Sequence, residues 1–154
     1  MSVLGCLAPL IGLLMAATPV EEPELTKEEK NIVTETNKVR AKNDLPPLQI
    51  NALLCKAAKG HARNLAKQDV LVHDLDGENP GDRILKAGYK FLTWRENICR
   101  GQKNAAQAVS DWMESPTHSA NILGKDSTEI GVAIAVDAKK RKYYVQVFAS
   151  PKQP

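Results

Sequence analysis

The chain has 154 residues, with 21 Lys and Arg against 18 Asp and Glu, a formal charge of +3. That length fits one domain, and 43% hydrophobic with 25% charged residues is globular composition, which excludes a disordered chain. No run of five basic residues occurs. The densest stretch, Lys139-Lys140-Arg141-Lys142, falls at an expected turn, so no nucleic-acid partner is expected.

Residues 1–20 read as an N-terminal leader. Val3 to Val20 carries no charged side chain, and the apolar stretch Leu7–Met15 is followed by the small residues Ala16, Ala17 and Thr18. That order resembles a secretory signal peptide cut near Ala17, although no Lys or Arg precedes the apolar run. Pro9 and Pro19 shorten the run below the roughly 20 apolar residues of a membrane span, so no stable span is expected once the leader is removed. Val3-Leu4-Gly5-Cys6 has lipobox residue types and leaves lipidation at Cys6 as an alternative. In an exported chain Cys55 and Cys99 form a candidate disulfide; the alternative is two separate buried thiols.

Residues 21–25 read as a flexible lead-in, 26–150 as one domain and 151–154 as a tail. Thr26-Lys27-Glu28-Glu29 has capping-box spacing and opens a helix with the apolar stripe Ile32, Val33, Thr36 and Val39. Asn43-Asp44-Leu45-Pro46-Pro47 ends it. A second helix is expected from about Asn51 to Gln68, its inner face formed by Leu54, Ala57, Ala58, His61, Ala62 and Leu65. Leu71 to Glu78 reads as loop, followed by a short helix around Arg83–Ala87 closed by Gly88. Arg95–Cys99 reads as a short strand. Asn104 caps a helix carrying Ala105, Ala108, Val109, Trp112 and Met113, and Ser115-Pro116 opens another to Leu123. Glu129–Val136 and Tyr143–Phe148 read as a hairpin. Helices first and strands last give an α+β domain with a mainly antiparallel sheet.

The histidines are His61, His73 and His118. His73, Glu96 and His118 supply the side-chain types of a divalent-metal site and of acid–base catalysis. Their context sharpens the assignment. Arg95-Glu96-Asn97-Ile98, Trp112-Met113-Glu114-Ser115-Pro116-Thr117-His118 with Asn121-Ile122-Leu123, and Glu129-Ile130-Gly131-Val132 occur in that order. Asn37 with Arg40, Leu45-Pro46-Pro47-Leu48 and His73 precede them, and Tyr143-Tyr144-Val145-Gln146-Val147-Phe148 follows. This arrangement resembles the CAP superfamily of secreted proteins (cysteine-rich secretory proteins, antigen 5, pathogenesis-related proteins) in its short bacterial form.

The resemblance implies a single-domain α-β-α sandwich and a secreted or cell-envelope (periplasmic) location. It also implies a cleft lined by His73, Glu96 and His118, with Ser115 near the position where animal and plant members place a second Glu. His73 and His118 are then candidate ligands of a divalent metal such as zinc. Two functions follow. One is a monomeric binding module for a small apolar or envelope ligand. The other is a metal-dependent hydrolase in which Glu96 acts as general base on a metal-held water. Two histidines are fewer than the three protein ligands of a catalytic zinc, which favours the binding module. Ser115 reads as a helix cap rather than a nucleophile. His61 reads as a packed histidine pointing away from the cleft, and Glu96 could pair with Arg83.

Overall fold

The computed structural model describes residues 23–152; the expected leader and the lipobox-like Cys6 lie outside the described residues. Helix α1 spans Lys27–Ala41 and starts at the reciprocal capping box formed by Thr26 and Glu29. A two-residue strand β1, Gln49–Ile50, leads into α2, Ala52–Gln68, whose cap is the Asn51 side chain. Helix α3, Pro80–Ala87, has a second capping box between Asn79 and Asp82 and ends at Gly88. Then come β2, Phe91–Arg100, α4, Ala105–Glu114, α5, Pro116–Ile122, and the strands β3, Glu129–Val136, and β4, Lys142–Pro151.

The sheet order is β1-β3-β4-β2, with β1 parallel to β3 and the other pairs antiparallel. Along β4 the side chains alternate between two cores. Tyr143, Val145, Val147 and Ala149 pack with Leu54, Leu65 and Ile84 of α2 and α3. Tyr144 and Phe148 pack with Ile32, Trp112 and Ile122 of α1, α4 and α5. The result is an α-β-α sandwich built on period-2 strands and two layers of amphipathic helices.

Strand β2 is longer than the five residues expected from sequence. Its N-terminal half is held by the ladder to β4, where Trp94 pairs with Ala149 and Phe91 with Pro151, across an irregularity between Phe91 and Thr93. Strand β1 was not anticipated. Gln49 and Ile50 face solvent, and their pairing with Glu129 and Ile130 is a tertiary event without a hydrophobic pattern. Asn37 prepares it by donating to the Leu48 carbonyl and accepting from the Leu48 N–H.

Among the described residues the outer edge of β3 has no partner strand beyond Ile130. The buried Glu29 carboxylate covers part of it, accepting from Ile134 N at 3.0 Å while also closing the α1 cap. Arg40, fully buried, fixes the chain after α5 by donating to the carbonyls of Ile122, Gly124 and Ser127, and holds Pro46 through Nε.

Cys55 and Cys99 are both free and buried. Cys99 packs among the α1 and α4 side chains, whereas Cys55 belongs to α2 on the other face of the sheet. The bridge entertained from sequence is not formed, because the sheet stands between the two layers.

Gly60 lies on the exposed side of α2, and a Cβ there meets no atom within 4 Å. Nothing in the packing requires glycine at this position. Gly60→Ala should therefore raise the unfolding free energy by about 0.5–1 kcal/mol, the helix-interior difference between the two residues, seen as a higher urea midpoint at unchanged m-value.

Candidate functional site

The alternation of β2 decides which way its polar residues face. Ile98 packs in the α2/α3 core and Trp94 against it, so Glu96, between them in register, faces the same layer. Arg95, Asn97 and Cys99 face α4 and α5. Glu96 thereby enters a polar cluster beneath the loop that follows α2. Its side chain is 2% exposed. Arg83 Nη2 donates to Oε2 at 3.0 Å and Oε1 at 3.2 Å, and to the His73 carbonyl at 2.9 Å. His73 Nδ1 lies 2.9 Å from Glu96 Oε1, the geometry of an N–H donated to the carboxylate. His73 is 47% exposed, so its other nitrogen is open to solvent.

β2 is the edge strand, and its outward carbonyls are taken by side chains. Asn121 donates to Glu96 O at 3.1 Å and to Asn97 Oδ1 at 2.8 Å, and Trp112 Nε1 donates to Ile98 O at 3.2 Å. Asn97 in turn donates to the His118 carbonyl at 3.1 Å, which seats the first turn of α5 against β2. A shallow pocket of about 340 Å³ lies across this edge, lined by His73, Asp74, Pro80, Trp94, Arg95, Glu96 and Asn121. The Trp94 indole is held over Gly81 and meets Phe91 edge to face at 6.4 Å.

Of the residues singled out from sequence, His73 and Glu96 are in direct contact and line this pocket. His118 is half-buried in the first turn of α5, one helical turn before Asn121. Burial, and then the charge of His73, hold its imidazole below the ordinary histidine value, so it stays neutral. The Ser115 side chain forms no cap bond; its hydroxyl lies 3.2 Å from Thr117 Oγ1. One site residue was missed. Asn121 was visible only as a neighbour of His118 at i+3, the spacing of one helix face.

His61, expected to point away, has Nε2 3.7 Å from Glu96 Oε1 and 3.1 Å from the Val72 carbonyl, with its ring buried and Nδ1 without a partner. The inner face of α2 and the Glu96 face of β2 are the same core layer, so a packed histidine there meets the carboxylate. Burial pushes His61 below its ordinary value of 6.5, against the pull of Glu96. A histidine kept neutral by the fold contributes stability that is present above its unfolded pKa and lost as pH falls below it. Urea unfolding between pH 7.5 and 5 should therefore show stability declining below about 6.5. The decline should be shallower in His61→Gln, whatever that variant's stability at pH 7.5.

Among the described residues no group of three or more His, Cys, Asp or Glu is arranged to hold a metal ion. Arg83 occupies both oxygens of Glu96, and Ser115 cannot replace a carboxylate, which leaves two imidazoles against the three protein ligands of a catalytic zinc. The residues present fall short of the ligand set of a catalytic zinc.

The fold and this edge pocket define an α-β-α sandwich domain. Residues 33–148 match the model of the CAP, or cysteine-rich secretory protein, family, and the chain belongs to that family. It is 36% identical over 105 residues to the Bacillus subtilis protein YkwD, covering 68% of this chain and 41% of that one. The chain thus spans less than half the length of that relative. A Borreliella burgdorferi protein is 33% identical over 107 residues, covering 69% of this chain and 68% of its own length. Among solved structures, an outer surface protein from Borrelia burgdorferi superposes with a TM-score of 0.77 at 29% identity, covering 83% of this chain and 96% of that one. An extracellular protein of Bacillus anthracis containing an SCP domain gives 0.72 at 26% identity, covering 79% of this chain and 40% of that one. Among the described residues no helix is long and apolar enough to cross a membrane.

Proposed function

We propose that this chain is an exported CAP-domain binding module whose pocket at the β2 edge holds a small, partly apolar ligand. The observation that carries the reading is the saturation of Glu96. Two bonds from Arg83 and one from His73 engage both oxygens of the carboxylate, which suits it to orienting His73 rather than to activating water. A hydrolase acting through Glu96 would need that carboxylate free, or a metal that the side chains do not assemble. The pocket instead offers an apolar wall, Trp94 and Pro80, beside the open nitrogen of His73. That pairing suits a ligand with one hydrogen-bonding group on an apolar body.

Export is supported by the order of the first twenty residues and by similarity to an outer surface protein and an extracellular protein. Native mass spectrometry of protein recovered from the medium or envelope of producing cells tests both parts. The expected species begins near Thr18–Glu21 and carries a small molecule that Trp94→Ala loses. Protein retaining Met1 in the cytoplasm would overturn export. Ester or peptide turnover abolished by Glu96→Gln would overturn the binding-module reading.

A further inference from the structure

We propose that the solvent face of α2, continued by the β3–β4 turn, is a docking ridge for a linear phosphodiester polymer. It is separate from the β2-edge pocket, and only the envelope as the polymer's source rests on the export proposed above. Lys56, Lys59, Arg63 and Lys67 fall within an arc of about 80° on α2 and extend over about 16 Å of its length. All four are exposed, and among the described residues none has an ion-pair partner. Lys38, Lys86 and Lys142 are matched by Glu35, Glu78 and Glu28, whereas the other lysines without an ion-pair partner among the described residues, Lys30, Lys42 and Lys90 among them, lie outside α2.

The ridge continues past the end of α2. Asp69, its C-cap, receives Arg100, Lys139 and Arg141, so three cations share one exposed carboxylate. Arg141 also bonds Asp137, and Lys140 beside it has no ion-pair partner among the described residues. The carboxylates near the ridge are few. Glu24 and the buried Glu29 lie in the groove along one flank, Glu78 lies along the other and is paired with Lys86, and Asp76 is engaged by Gln68. Charge complementarity therefore calls for a polyanion, and the shape calls for a linear one. The cations form a single file, not a plane. The exposed apolar side chains Leu53, Leu71 and Val136 lie at its ends and none stands between the four cations of α2, and Gly60 leaves a notch beside the file where a polymer backbone can lie close to the helix.

Binding of the purified protein to poly(glycerol phosphate), followed by fluorescence anisotropy from 50 to 300 mM NaCl, tests the ridge. The wild type should bind with an affinity that falls steeply with salt. Lys59→Gln/Arg63→Gln should lower the magnitude of the slope of log Kobs against log salt by about 1.4, roughly 0.7 for each cation removed. The same pair should weaken binding at 50 mM at least tenfold. Lys42→Gln/Lys90→Gln removes the same charge at exposed, unpaired sites away from α2 and should stay within twofold of wild type. Equal losses in the two pairs would overturn the ridge, since diffuse net charge would then explain the affinity. No binding by the wild type would overturn it too, as would tighter binding to phosphatidylglycerol vesicles than to the polymer. Because the assay uses purified protein, its outcome is independent of export. Loss of the ridge and loss of the secreted assignment are thus told apart.

Discussion

Arg83→Met is expected to cost about 3–5 kcal/mol of unfolding free energy, the effect of stranding a buried charge. The side chains of Arg83 and Glu96 are 8% and 2% exposed, and among the described residues the guanidinium is the only permanently charged partner the carboxylate has. It also ties the His73 and Glu78 carbonyls of the loop to α3. With methionine at 83, Glu96 keeps the bond from His73 and the neighbourhood of His61, whose burial holds it neutral. Glu96→Gln should cost less than Arg83→Met, because the guanidinium retains two carbonyl acceptors. The double variant Arg83→Met/Glu96→Gln should recover part of the loss, giving a coupling of about 1–3 kcal/mol. Urea unfolding of the four proteins measures it; strictly additive costs would show that the pair is not a unit.

How much of this was readable in the chain depended on whether the signal was local. The capping box at Thr26, the Asn104 cap, the Ser115-Pro116 helix start and the β3–β4 hairpin are short-range events, and sequence alone placed them. The order of Glu96-Asn97-Ile98 and the Ser115 to His118 segment pointed to the family before any coordinates. What escaped depended on pairing across the fold. β1 exists because Asn37 and the start of β3 place it, and the first half of β2 because β4 extends to Pro151. At the site the residue types were legible but not their partners. Arg83 was foreseen as one partner of Glu96. The approach of His61 required knowing that α2 packs on the Glu96 side of β2, and the use of Asn121 required knowing that β2 is an edge. The open Cys55–Cys99 alternative was a question of layers, which spacing along the chain does not encode.

The closeness of α2 to the sheet has its own expected signature at Gly131. An added Cβ there would lie 2.5 Å from Leu54 Cβ and nearer still to the Leu54 carbonyl carbon and the Cys55 nitrogen. These are mostly backbone atoms of a helix whose neighbours Leu54 and Ala58 are fully buried, so no side-chain rotation relieves the clash. The helix would have to lift from β3, which separates it from Ala133 and Val145 as well. Gly131→Ala should accordingly cost about 3 kcal/mol, at the upper end of overpacking losses, and Gly131→Val more. The displacement should reach the pocket, because His61 lies on the same rigid helix two turns further on and contacts Glu96. Thermal unfolding reads the first effect. The second appears as a shift of the His61 and His73 ring signals by NMR in Gly131→Ala under conditions where that variant is still folded. A variant as stable as wild type with unmoved ring signals would mean that α2 and β3 are not held as close as the structure shows.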